Sequence, residues 1–165
     1  YRDAPEASKV AEQLISRYLK DERLAEVEPI IRQQIAHHKS SGQSKALNQA
    51  HFQLGKLMRA KGDHSEAFEL FERCRSSDPT FAPALVALSE LYVEAERWEE
   101  AQELLSSLLI QRKLSADDRV QMYYLNGVTR SALGDARKAK DMFQRALGVN
   151  PDHEPSQRGL ERLNS

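Results

Sequence analysis

Residues 51–79 read HFQLGKLMRAKGDHSEAFELFERCRSSDP, and residues 123–151 read YYLNGVTRSALGDARKAKDMFQRALGVNP. Both stretches contain a small residue within an apolar segment, then a Gly-Asp pair, an Ala followed four residues later by Phe, and a closing Pro. Residues 85–113 repeat the pattern with Ser89 and Leu105 at the equivalent places, so successive stretches are offset by 34 and then 38 residues. Self-similarity at such a period indicates a repeat protein.

Each stretch is interpreted as two helices joined by a tight turn. Ala67, Leu70 and Phe71 follow the i, i+3, i+4 spacing of an amphipathic helix, and the other two stretches repeat this spacing. Gly62 allows the first helix to end in a left-handed conformation, and Asp63 then offers an N-cap to the second helix. The four extra residues of the third stretch fit residues 116–119, where its first helix is expected to lengthen.

At this point the sequence resembles the tetratricopeptide repeat (TPR) family, whose signature is a helix–turn–helix of about 34 residues with small residues at fixed packing points. The resemblance implies an all-α fold, a right-handed α-solenoid of antiparallel helix pairs that forms a single domain. The expected parts are a degenerate N-terminal unit (8–41), repeats 1 to 3 (48–81, 82–115 and 120–153) and a C-terminal capping helix (154–165).

Composition narrows the class of protein. The chain has 165 residues, of which 40% are hydrophobic and 30% charged, so it is apolar enough to form a packed core. A formal net charge of −1 argues against a duplex-binding protein. No apolar run is long enough to span a bilayer, and charged residues in the first twenty exclude a signal peptide. The chain begins at Tyr1 rather than Met, which suggests a processed or excised piece. The sequence is compatible with a location in either the cytoplasm or the periplasm.

No motif with a catalytic mechanism is present, and we predict a protein that is not an enzyme and uses no cofactor or metal. Cys74 is the single cysteine, which excludes an internal disulfide, and its place in an apolar stripe predicts a buried side chain. His37 and His38 are adjacent, so on a helix they diverge and chelate one ion poorly.

The TPR resemblance implies that the first helices of the repeats line a concave, peptide-binding face. The residues that the register assigns to this face are Gln49, Phe52, Lys56, Arg59, Val86, Glu90, Val93, Gln121, Tyr124, Val128 and Ser131.

Some TPR co-chaperones grip a C-terminal carboxylate with Lys, Asn and Arg at corresponding places. Here Glu90 would repel a carboxylate, so we expect no such clamp. The predicted face is an apolar stripe, Phe52–Val86–Tyr124, suited to an apolar peptide or an amphipathic helix. The alternative is that these residues form internal packing or are covered by the N-terminal helix.

We therefore predict a protein-interaction scaffold or adaptor within a larger multiprotein assembly. One alternative is a solenoid that self-associates through its ends, where Val10 and Leu14 could form an open stacking face. Another is RNA binding through basic residues of repeat 3 such as Arg137, Lys138 and Lys140, although the net charge makes a nucleic-acid partner the weaker interpretation.

Overall fold

The computed structural model describes residues 24–111 and 113–164, which form eight α-helices and no β-strand. The helices are α1 (Leu24–Ser40), α2 (Ser44–Ala60), α3 (His64–Ser77), α4 (Ala82–Glu94), α5 (Trp98–Leu109), α6 (Ala116–Ala132), α7 (Ala136–Val149) and α8 (Glu154–Leu163). They belong to two compact units: unit 1 ends at Asp78 and unit 2 begins at Pro79. The prediction of an all-α chain built from helix pairs is confirmed.

Unit 1 contains α1, α2 and α3, and α2 packs against both of its neighbours. α1 buries Val27 and Ile31, which are 3% and 0% exposed. The described part of the degenerate unit 8–41 is thus an amphipathic helix packed on repeat 1. The predicted first helix of that unit lies outside the described residues.

The turns within the helix pairs have the geometry that a Gly-Asp pair predicts. Gly62 and Gly134 have φ angles of 84° and 81°. The side chains of Asp63 and Asp135 accept the backbone N–H three residues later, at 3.0 and 3.1 Å, as helix N-caps do. In repeat 2 the glycine is missing, and Glu96 adopts the left-handed conformation with φ 56°. Such a backbone is strained for a residue with a side chain.

The helix pairs of repeats 1 and 3 close on a phenylalanine. A Cβ atom added to Gly55 would lie 2.5 Å from Cε1 of Phe71, and one added to Gly127 would lie 2.5 Å from Cε1 of Phe143. Carbon atoms in contact are normally about 3.5–4.0 Å apart. Glycine is therefore required wherever the second helix presents a phenylalanine ring, which explains the small residues in the repeat.

Repeat 2 achieves the same closure with a different pair of residues. Ser89 is fully buried, and its hydroxyl donates to the Leu85 carbonyl oxygen at 2.8 Å. Leu105, also fully buried, stands where the other repeats have phenylalanine. A shorter aliphatic side chain on the second helix thus accompanies a larger residue on the first.

Unit 2 contains the helix pairs α4/α5 and α6/α7, followed by α8. α6 contacts α4, α5, α7 and α8, and α8 packs mainly on α7. α6 has 17 residues against 13 in α4, and residues 116–119 form its first turn, as predicted. At the other end, α8 crosses the buried ring of Phe143 at Gly159, where an added Cβ atom would lie 2.7 Å from the ring.

Candidate functional site

In unit 1, the predicted face of α2 carries a half-buried aromatic ring. The rings of Phe52 and Phe71 have centroids 5.8 Å apart, so Phe52 extends the aromatic core outward. The ammonium group of Lys56 lies 5.7 Å from the Phe52 centroid, within the range of a cation–π contact. Gln49 and Arg59 are partly exposed on the same helix. This face is therefore mixed, with an apolar ring beside a cation.

In unit 2, the predicted residues of α4 differ in exposure. Val86 is 5% exposed and belongs to the core, so it offers little surface to a ligand. Glu90 accepts a hydrogen bond from Nε2 of Gln121 at 2.8 Å, which joins α4 to α6. Val93 is partly exposed. The apolar stripe expected to run through Val86 is thus interrupted there, and a carboxylate is held beside it.

Three of the four predicted residues of α6 line an open groove. Tyr124, Val128 and Ser131 line a space of about 610 Å³ between α6 and α8. We call it the α6–α8 groove, and its remaining lining residues are Ala132, Phe143, Pro155, Arg158, Gly159 and Arg162. All belong to unit 2, and three of the four residues predicted from repeat 3 contribute to this one surface. The fourth, Gln121, does not line the groove and donates a hydrogen bond to Glu90 instead.

The floor of the α6–α8 groove is aromatic. Tyr124 is half-buried, and its ring centroid lies 6.2 Å from that of Phe143 and 5.4 Å from that of His153. Phe143 lies at the base of the groove, where its ring is only 3% exposed and packs against Gly159. Burial lowers the pKa of His153, whose Nδ1 lies 2.8 Å from the Ser156 hydroxyl oxygen, so this imidazole is neutral at neutral pH. The floor is consequently apolar and uncharged.

One wall of the groove is cationic. Arg158 and Arg162 are exposed and four residues apart on α8, hence on the same face of the helix. Nη1 of Arg158 lies 3.4 Å from Oε2 of Glu154. Arg162 has no hydrogen-bond or ion-pair partner among the residues that the structure describes. Within the described part of the chain, no carboxylate lines the groove.

Cys74, the single cysteine of the chain, is not placed to act as a nucleophile. Burial raises the pKa of Cys74 to about 12, and its fully buried thiol lies 3.4 Å from the Asn48 carbonyl oxygen. The thiolate that a nucleophile requires is therefore absent at neutral pH. Within the described ranges, no cluster of three metal-ligating side chains occurs, and no helix is long and apolar enough to cross a membrane.

Comparison with known families identifies the repeat. Two models described as tetratricopeptide repeat match the chain, one over residues 58–122 and the other over residues 120–153. The chain belongs to the tetratricopeptide repeat family. The first match includes the whole of the divergent second repeat, and the second coincides with the predicted bounds of repeat 3.

Solved TPR structures share this fold at low sequence identity. PilF of Pseudomonas aeruginosa is 21% identical with a TM-score of 0.78, and the match covers 96% of this chain and 68% of PilF. MamA of Desulfovibrio magneticus RS-1 is 17% identical with a TM-score of 0.74, covering 95% of this chain and 83% of that one. The second TPR domain of human RPAP3, in complex with an HSP70 peptide, is 18% identical with a TM-score of 0.61, covering 70% and 92%.

These similarities establish the TPR fold. No curated protein sequence matches the chain.

The sequence predicted one part of the α6–α8 groove and missed the other. Tyr124, Val128 and Ser131 are the predicted part. Arg158 and Arg162 were interpreted only as polar residues of a capping helix. The sequence did contain a signal for their role. α8 follows Pro151 as α4 follows Pro79, so α8 occupies the position of the first helix of a further repeat.

Ion pairs neutralise part of the basic character of repeat 3. Nζ of Lys138 lies 2.9 Å from Oδ2 of Asp135, and Nε of Arg145 lies 2.9 Å from Oδ2 of Asp141. These side chains are on α7 or, for Asp135, at its N-cap, and they do not line the α6–α8 groove. Paired, exposed charges of this kind are typical of a solvated helix face.

Proposed function

We propose that this chain is a non-catalytic protein-interaction module, which binds an apolar or amphipathic peptide segment of a partner in the α6–α8 groove. The observation that carries the proposal is the position of Tyr124: its half-buried ring forms part of an open, uncharged groove floor. Aromatic residues that are anchored on one side and exposed on the other are enriched at binding hot spots.

The dimensions of the groove support a peptide ligand. Its volume of about 610 Å³ lies within the range of about 300–1,000 Å³ that ligand sites occupy, enough for a few side chains of a peptide. The RPAP3 domain, which has the same fold, was solved with a bound peptide. If the partner also binds other proteins, this chain acts as a scaffold within a larger multiprotein assembly.

The residues predicted on α2 form a second candidate surface, which belongs to unit 1. Phe52, Lys56 and Arg59 of α2 present a ring and cations that suit the same kind of ligand. Their participation stays a prediction, as does that of Val93. We expect Phe52→Glu to weaken binding less than Tyr124→Glu, since the open groove lies beside Tyr124.

A selection from a displayed library of random short peptides tests the proposal. The parent chain should enrich peptides with aromatic or aliphatic residues. Tyr124→Glu and Ser131→Trp should each weaken the binding of an enriched peptide about tenfold or more, because the first places a charge on the apolar floor and the second fills the groove. Ser131 is exposed, so this variant leaves the core intact.

The matched control is Gln144→Trp, which adds the same side chain at an exposed position of α7 outside the groove. Helical circular dichroism should be unchanged in the Ser131→Trp and Gln144→Trp variants. Unchanged peptide binding by Ser131→Trp would show that the groove is not the site. Failure of the parent to enrich any peptide would refute the proposed function itself.

The two alternatives have less support in the described residues. The basic side chains of α7 that would contact RNA are partly neutralised by Asp135 and Asp141. Self-association was inferred from Val10 and Leu14, which lie outside the described residues. A single species of monomer mass by light scattering would argue against self-association, and retention on a nucleic-acid column that salt abolishes would favour RNA binding.

A further inference from the structure

We infer that the α6–α8 groove contains an anion subsite, formed by the guanidinium groups of Arg158 and Arg162, that binds acidic side chains of the partner peptide. The inference rests on the proposed function and names the chemistry of the partner. The ligand is an acidic–apolar peptide: an aromatic or aliphatic side chain lies on the Tyr124 and Phe143 floor, and one or two carboxylates lie against α8.

The charges along α8 support this assignment. Glu154, Arg158 and Arg162 succeed one another at intervals of four residues, so they form one column on the helix. The column contains one carboxylate and two guanidinium groups. Nη1 of Arg158 lies 3.4 Å from Oε2 of Glu154, while Arg162 is without a partner in the part of the chain that the structure describes. A carboxylate from outside would complete the column.

The two arginines lie where they can contact a ligand that is bound in the groove. Both line the same groove as the aromatic floor, and no acidic residue among residues 24–111 and 113–164 lines it with them. Arginine donates two parallel hydrogen bonds to a carboxylate, which fixes orientation as well as charge. Gly159 lies between them in the sequence and packs against the Phe143 ring, so α8 holds both arginines close to the groove floor.

Unit 2 also contains the opposite charge at a separate place. The Glu90 carboxylate, held by Gln121 between α4 and α6, would repel an acidic residue there. Negative groups of a ligand are therefore excluded from the α4 side and attracted to α8, so the peptide is expected to bind in one direction. The subsite lies on the capping helix and contacts side-chain carboxylates, so a free C-terminus is not required.

The test is a selection from a displayed library of random short peptides by three proteins. They are the parent, the double variant Arg158→Gln/Arg162→Gln, and the control Arg137→Gln/Arg145→Gln, which removes two positive charges from exposed α7 positions outside the groove. We expect the parent and the control to enrich peptides with Asp or Glu near an aromatic or aliphatic residue. The Arg158/Arg162 variant should keep the apolar preference and lose the acidic one.

An enriched peptide, synthesised with an amidated C-terminus, then gives the magnitude by calorimetry. Replacing its acidic residues by Asn or Gln should weaken binding to the parent about tenfold, as expected for two partly exposed ion pairs, and should leave binding to Arg158→Gln/Arg162→Gln nearly unchanged. This double-mutant comparison isolates the contact between the arginines and the peptide carboxylates.

The outcomes separate this inference from the proposed function. If the parent enriches apolar peptides with no acidic preference, the subsite is absent and peptide binding in the groove stands. If Arg158→Gln/Arg162→Gln still selects acidic peptides as the parent does, the carboxylates bind elsewhere and the inference is overturned. If no protein enriches any peptide, the proposed function and this inference fail together.

Discussion

Substitution of Gly127 by alanine should destabilise unit 2, although alanine is the better helix former. The new Cβ atom would lie 2.5, 2.6 and 2.9 Å from Cε1, Cδ1 and Cζ of the Phe143 ring. The ring cannot easily retreat, because it is 3% exposed and also lies against Gly159 of α8, whose own added Cβ would be 2.7 Å away. The ring is thus confined between α6 and α8.

The magnitude follows from two opposing terms. Overpacking of a well-packed core costs about 1–3 kcal/mol, and replacing a helical glycine by alanine recovers about 1 kcal/mol. Because the Phe143 ring is buried and closely contacts both α6 and α8, we expect Gly127→Ala to lower the free energy of unfolding by about 1–2 kcal/mol.

Gly148 in α7 provides the matched control. No atom lies within 4 Å of its added Cβ, so Gly148→Ala should instead stabilise the protein by about 0.5–1 kcal/mol. Trp98, the single tryptophan, lies in unit 2, and its fluorescence during urea unfolding reports on the unit that contains both glycines. For a chain of this size, a difference of about 2 kcal/mol also separates melting temperatures by roughly 4–8 °C.

A second substitution identifies the cause of the strain. Repeat 2 combines Ser89 with Leu105, so the shorter side chain of Phe143→Leu should make room for the methyl group at position 127. Gly127→Ala/Phe143→Leu should therefore be no less stable than Phe143→Leu alone, with a coupling energy of about 1–2 kcal/mol. The reasoning is refuted if Gly127→Ala is as stable as Gly148→Ala, or if its cost persists in the double variant.

Three further predictions concern backbone, thiol and charge. Gly134→Ala should destabilise unit 2 by about 1 kcal/mol in the same fluorescence assay, although its Cβ meets no atom, because the φ of 81° disfavours any side chain; equal stability would show that the turn rearranges. Cys74, with its pKa raised to about 12 by burial, should react with a thiol reagent at pH 8 only after unfolding, and rapid reaction of the native protein would contradict its burial. The Glu28 carboxylate accepts hydrogen bonds from Lys61, the larger effect, and from Arg32, and both lower its pKa. These hydrogen bonds stabilise α1 fully above the ordinary glutamate pKa of about 4.3. The stabilisation is lost as the pH falls through the lowered pKa of Glu28. Hydrogen exchange in α1 should thus be faster in Glu28→Gln than in the parent at neutral pH, with the difference disappearing in acid; a difference that persists in acid would have another cause.

The sequence determined the helix pairs and their cores. The 3.6-residue period of an α-helix decides which side of the helix can be buried, so the spacing of apolar residues predicts that side from the sequence alone. The small residue of each first helix follows from the same local geometry. Phe71 and Cys74 are fully buried as this spacing predicts, and Gly55 lies against Phe71 as the repeat requires. The turn at Gly62 is equally local, since a left-handed residue is needed there whatever the rest of the chain does.

Only the tertiary structure decided which of the predicted surface residues are exposed. Val86 and Tyr124 are both apolar and were assigned to the same face, yet Val86 is in the core and Tyr124 lines a groove. Their exposure depends on which other helices pack beside them, and no period within one helix contains that information. Arg158 and Arg162 became part of the site for the same reason, because Gly159 lets α8 approach the Phe143 ring and bring both arginines to α6.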